Sequence, residues 1–170
     1  MTEKLSEPRQ LPIVDAQTDA YVKRELMLTS PASCAQALTE NDPQPWQPYN
    51  YLLHINRYLL RVTNPADKLK RLLITVPFRC GKSWFCSTFL PAWYLNANPD
   101  KRVILASYSD EFARKWGRDV RNLIEQNPQL FDIKVSASSS AANEWGIEGH
   151  RGGMKTAGAG GGILGWGAAL

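Results

Sequence analysis

The residues with the plainest chemical meaning are Val76-Pro-Phe-Arg-Cys-Gly-Lys-Ser83. Gly-Lys-Ser closing a short loop at the start of a helix is an arrangement that holds a phosphate chain. Backbone N–H groups and the positive end of the helix dipole face the phosphate oxygens, a lysine neutralises the terminal phosphates, and a hydroxyl ligates Mg²⁺. Those roles fall to Lys82 and Ser83, with Gly81 letting the backbone approach the ligand. Pro77, Phe78, Arg79 and Cys80 would frame the same site, so the expected ligands are ATP and Mg²⁺, with Ser83 on the metal. The usual pattern, G-x-x-x-x-G-K-[ST], has glycine where this chain has Val76. Gly-Lys-Ser alone also reads as an ordinary loop with a capping Ser83 and a surface Lys82.

Such a loop needs a strand before it and a helix after it. Arg71-Leu-Leu-Ile-Thr-Val76 is short, apolar and β-branched, and predicts a buried strand of a parallel sheet. Lys82 to Leu95 predicts a helix, with a kink or break near Pro91. Arg102-Val-Ile-Leu-Ala-Ser107 predicts a second strand. It leads to a helix capped by Ser109, with Asp110 and Glu111 suiting the dipole of its first turn. Phe112, Trp116, Val120 and Leu123 form its expected apolar stripe, while Arg114, Lys115, Arg118 and Arg121 make a basic face that either touches DNA or a neighbouring subunit, or is simply solvated. Strand, helix, strand, helix in this order predicts an α/β fold built on a parallel sheet with flanking helices.

Upstream, residues 1–40 read as an arm with a short helix near Ala20 to Leu28, and residues 41–170 as one partial domain. Asn41 to Tyr51, with three prolines and three aromatics, predicts an irregular connection. Leu52, Ile55, Leu59 and Val62 then fall at helical spacing until Asn64-Pro65. Ten of the twelve glycines follow Trp145, and Gly160-Gly-Gly-Ile-Leu-Gly165 matches the dinucleotide pattern G-x-G-x-x-G. That match is rejected, because no helix and acid can follow it in the five remaining residues.

The 170 residues are 44% hydrophobic and 21% charged, with a net charge of +4, a balance suited to one globular domain and compatible with a polyanionic partner. Cys34, Cys80 and Cys86 are too few and too irregular for a disulfide framework and read as reduced thiols. His54 and His150 have no partners at metal-ligand spacing. The N-terminus lacks an apolar signal core, and no apolar run is long enough to span a bilayer.

The loop Val76–Ser83 resembles the deviant phosphate loop of phage terminase large subunits, in which Pro and Arg precede Gly-Lys-Ser. Phe89-Leu-Pro-Ala-Trp93, Asn98-Pro-Asp-Lys-Arg-Val-Ile-Leu-Ala-Ser-Tyr-Ser109 and the stretch Gly158 to Ala169 resemble the same family in order and spacing. The likeness extends over roughly residues 43 to 170. It implies a P-loop NTPase fold and an ATP-driven motor that threads double-stranded viral DNA into a procapsid in the bacterial host cytoplasm. The implied partners are a portal protein and a terminase small subunit, with homo-oligomerisation of the full-length protein. By resemblance Arg79 contacts the γ-phosphate or acts as an arginine finger, although the same side chain could be a surface cation. The family's adenine-reading glutamine corresponds to Gln47 in Pro45-Trp-Gln-Pro-Tyr49, with Trp46 or Tyr49 stacking; a Pro-rich aromatic segment could equally just pack on the domain.

The strand that ends in an acidic pair, needed to hold Mg²⁺ and position the attacking water, follows the Gly-rich stretch in that family. It is not found before Leu170, and neither are nuclease carboxylates. The expectation is therefore an ATP-binding fragment with poor hydrolysis. The alternatives are a non-catalytic DNA-binding or assembly module, or an inert product of a truncated or split gene.

Overall fold

The computed structural model describes residues 16–141, 143–160 and 165–170. The first 15 residues of the arm, residue 142 and the centre of the glycine run at 161–164 lie outside the described residues. Helices α1 (Ala16–Leu28) and α2 (Pro31–Thr39) pack together. Pro31 sits in the first turn of α2, where a missing N–H costs nothing, and the Ser30 side chain accepts a hydrogen bond from the Ser33 N–H at 3.1 Å. Met27, Cys34 and Ala35 are fully buried, and the Trp93 indole donates to the Leu28 carbonyl at 2.8 Å. These helices are thus tied to the core.

Helix α3 (Asn50–Thr63) follows the predicted spacing: Leu52, Ile55 and Leu59 are buried, and Asn64 ends it. The segment 71–76 departs from expectation. Leu72, Ile74 and Val76 are half-buried against the core and Leu73 is 91% exposed, which is strand-like alternation, yet the segment joins no ladder. Apolar alternation sets which face turns inward, but a strand also needs a neighbouring backbone. Both edges of β1 (Arg102–Ser107) are engaged elsewhere. One pairs in parallel with β4 (Gly153–Gly158); at the other, Ala169 N–H donates to the Arg102 carbonyl and Ile104 N–H to the Leu170 carbonyl, each at 2.9 Å.

After the loop, α4 (Lys82–Trp84) runs into a π-helical stretch (Phe85–Phe89) and then α5 (Leu90–Ala97). Pro91 explains the widening. Its ring displaces the carbonyl four residues back and it has no N–H to donate, so the chain takes one wider turn, with Leu90 N–H reaching the Phe85 carbonyl. The break predicted near Pro91 is this wider turn just before it, and the helical path continues through it.

The sheet runs β1-β4-β3-β2, with β3 (Glu144–Ile147) antiparallel to both β4 and β2 (Val135–Ala141). The fold is α/β, but the sheet is mixed, which corrects the expected parallel one. The cause is a β2–β3 hairpin inserted between α6 (Asp110–Gln126) and β4. Its first strand, Val135-Ser-Ala-Ser-Ser-Ser-Ala141, has one β-branched residue and gives little strand signal.

On α6 the Ser109 hydroxyl caps as predicted, accepting from the Phe112 N–H at 3.2 Å. The buried line is Ala113, Gly117, Val120 and Ile124, not Phe112, Trp116, Val120 and Leu123. A Cβ on Gly158 would fall 2.3 Å from the Asp110 nitrogen, so helix and sheet backbones touch and only small residues fit between them. The buried Trp145 indole donates to the Gly117 carbonyl at 3.2 Å, and Phe112 and Trp116 are displaced to the flank, edge to face at 5.8 Å. No helix among the described residues is long and apolar enough to cross a membrane.

Candidate phosphate-binding loop

Residues 77–81 form a turn between the extended segment 71–76 and the helix that opens at Lys82. Gly81 is the N-cap of that helix with φ 71° and ψ −3°, a left-handed conformation natural to glycine, and its carbonyl accepts the first helical hydrogen bond, from Phe85 N–H at 3.0 Å. Arg79 is the one non-glycine residue with positive φ among the described residues, at 62°. Two left-handed residues within three positions turn the chain sharply into the helix N-terminus.

Both ends of the turn are held. On the far side Phe85 and Phe89 are buried, with Phe85 tilted against Trp46 at 5.2 Å and Phe89 against Trp84 at 5.0 Å. On the near side Val76 and Ile74 lean on the core. Between them, residues Val76 to Trp84 line an open concavity of about 550 Å³. Its lining carries two cations, Arg79 and Lys82, and no carboxylate. Open space surrounds the position a Gly81 side chain would take. An open hollow with cations, a hydroxyl at Ser83 and a helix start fits an extended anion.

Pro77, Phe78, Arg79, Cys80, Gly81, Lys82 and Ser83 are thus brought to one hollow. Phe78 stands 90% exposed at its rim. Gln47 lies elsewhere: its amide donates to the Pro45 carbonyl at 3.3 Å, and it lines a separate concavity with Asp19, Lys23 and Glu40. Trp46 is a core residue, 5% exposed, with its backbone N–H on the Thr39 hydroxyl at 2.8 Å. The aromatics beside the loop are Tyr49 and Tyr51, stacked at 5.8 Å and 7°. The Tyr51 hydroxyl donates to the Cys80 carbonyl at 3.0 Å. Partial loss of solvent, and then the nearby Cys80 and Tyr49, push the Tyr51 hydroxyl above its usual range, so it remains a donor. Sequence reading passed over Tyr51; its signal is only an aromatic in the first turn of a helix 29 residues before Cys80.

Burial pushes the Cys86 thiol up to about 11, against the opposing charge of Lys82, and raises Cys34 further. Both are protonated at neutral pH. No group of three or more His, Cys, Asp or Glu among the described residues could hold a metal. The basic face of α6 is partly neutralised: Arg114 pairs with Asp110, and Lys115 with Asp119 at 2.7 Å.

Residues 73–169 match the family described as terminase large subunit, T4likevirus-type, N-terminal. The chain belongs to the terminase large subunit family. The match spans more than half of it and includes the loop, β1, α6 and the mixed sheet. Membership makes this terminase chain a component of a phage DNA-packaging motor, with the small subunit and portal as the kind of partner the family implies. No curated protein and no solved structure matches the chain.

Proposed function

We propose that this terminase chain is the ATP-binding part of the packaging motor and takes MgATP at residues 77–83. The observation that carries the reading is the left-handed Gly81 at the start of a helix, opening onto a hollow whose lining has two cations and no acid. Lys82 would neutralise the terminal phosphates and Ser83 would offer its hydroxyl to Mg²⁺. Arg79, exposed at the same rim, would stabilise charge on the transferred phosphoryl group. Pro77, Phe78 and Cys80 would frame the chain of phosphates. Gln47 is the candidate adenine reader by the family resemblance of Pro45-Trp-Gln-Pro-Tyr49 alone, since its side chain lines a concavity separate from the loop hollow.

A P-loop NTPase-like fold is supported by the parallel β1–β4 pair joined through α6, and by Ala169 and Leu170 lying along the outer edge of β1. Among the described strands none ends in an acidic pair, the element that holds Mg²⁺ and positions the attacking water in a P-loop NTPase. The DNA being packaged is double-stranded, and the whole motor would act as an oligomer on the portal in the host cytoplasm.

Calorimetric titration with MgATP tests the reading. Wild type should bind with micromolar to millimolar affinity, and Lys82→Ala should lose at least tenfold. A folded wild type that takes up no MgATP would refute it.

A further inference from the structure

The turn that forms the hollow contains two left-handed residues, one of them not glycine; within it the Cys80 thiol reaches the Phe78 carbonyl at 3.7 Å, and the Gly81 carbonyl accepts from the Phe85 N–H at 3.0 Å. The Cys80 carbonyl is held from outside the turn, by the Tyr51 hydroxyl from the first turn of α3 at 3.0 Å. Tyr51 is itself held in place, because Tyr49, the residue before α3, stacks on its ring and the Leu53 N–H closes the helical turn on the Tyr49 carbonyl at 3.0 Å. The Cys80–Gly81 peptide is planar and trans, so its C=O and N–H point in opposite directions. Fixing the Cys80 oxygen toward Tyr51 therefore turns the Gly81 N–H away from α3. Orientation of that N–H matters because a phosphate loop works by aiming successive backbone donors at one anion.

We infer that Tyr51 is a positioning residue of the phosphate loop, a hydroxyl latch that holds the Cys80–Gly81 peptide in its anion-receiving orientation before any nucleotide arrives. The inference rests on the nucleotide reading for its functional effect, but the latch exists in the ligand-free chain and is measurable there. A latch differs from a base-stacking role. Stacking needs the Tyr51 ring and not its hydroxyl, and it would not affect a ligand without a base. The latch needs the hydroxyl alone and acts on the phosphate chain, so MgATP and magnesium tripolyphosphate should suffer alike.

The test compares wild type, Tyr51→Phe and Lys82→Ala as whole chains. Two measurements are made: titration with MgATP and magnesium tripolyphosphate, and amide hydrogen exchange over residues 79–83 without ligand. Tyr51→Phe should stay folded and melt within about 5 °C of wild type, exchange several-fold faster at Gly81 and Lys82, and bind both ligands about three- to tenfold more weakly, the effect of one lost hydrogen bond. Unchanged affinity in Tyr51→Phe, with binding lost in Lys82→Ala, would overturn the latch and leave the nucleotide reading standing. A wild type that binds neither ligand would sink the nucleotide reading, and the exchange data would then decide the latch alone: faster loop exchange in Tyr51→Phe upholds it, equal exchange overturns it.

Discussion

Replacing Gly81 by alanine separates two accounts of the loop by the sign of the effect. If residue 81 were an ordinary helical position, alanine would stabilise the protein by about 1 kcal/mol, because it orders more cheaply than glycine in a helix. In the structure Gly81 sits at φ 71° with no atom beyond its two chain neighbours within 4 Å of the place an added methyl would take, so tertiary crowding contributes nothing and backbone conformation decides. An L-residue forced into that region costs about 1–2 kcal/mol. Gly81→Ala should therefore destabilise by that amount, and Gly81→Asn by less, because asparagine enters the left-handed region more readily. For a domain of this size, with a urea slope of about 2 kcal/mol per molar, the midpoint should fall by about 0.5–1 M for alanine. Urea melts followed by tryptophan fluorescence, with the slope checked for constancy, read this directly. A midpoint that rises in Gly81→Ala would show that residue 81 is helical and remove the turn that shapes the hollow.

Two further outcomes follow from the packing. Trp145→Phe removes the indole donor to Gly117 and leaves a void beneath α6; it should cost about 1–3 kcal/mol in the same urea assay, and a loss under about 0.5 kcal/mol would contradict the contact. The Arg61 guanidinium, and then the Leu69 N–H, hold the Asp67 carboxyl below its usual 3.8. Its contribution is therefore present above that value and lost as pH falls through the lowered one, so Asp67→Asn should be less stable than wild type at pH 7, with the gap closing below about pH 4. A gap independent of pH would contradict that ion pair.

The turn and the helix start at Lys82 were legible in the sequence because their signal is local: Gly81, Lys82 and Ser83 are adjacent, and Gly81 takes the left-handed conformation at the helix N-cap. The same holds for α3, for β1 and for the Ser109 cap, where spacing or a single side chain within three residues carries the signal. What was missed depends on partners distant in the chain. Segment 71–76 has the apolar alternation of a strand but no ladder, since pairing is a property of two segments. The Ser-rich β2 is a strand because β3 pairs with it. The face of α6 rotated by one residue because Gly158 and Trp145 bring the sheet onto Gly117, which helical periodicity cannot report. Tyr51 reaches Cys80 across 29 residues, so nothing in its neighbourhood announces the contact.

The central claim is that residues 77–83 of this terminase chain receive the phosphates of MgATP. It is tested most directly by following backbone amide resonances during an MgADP and MgATP titration. The expected result is saturable shifts largest at Cys80, Gly81, Lys82 and Ser83, with little change on α6 or β2. Saturable shifts centred on another surface, or none at these four amides in a folded protein, would contradict it.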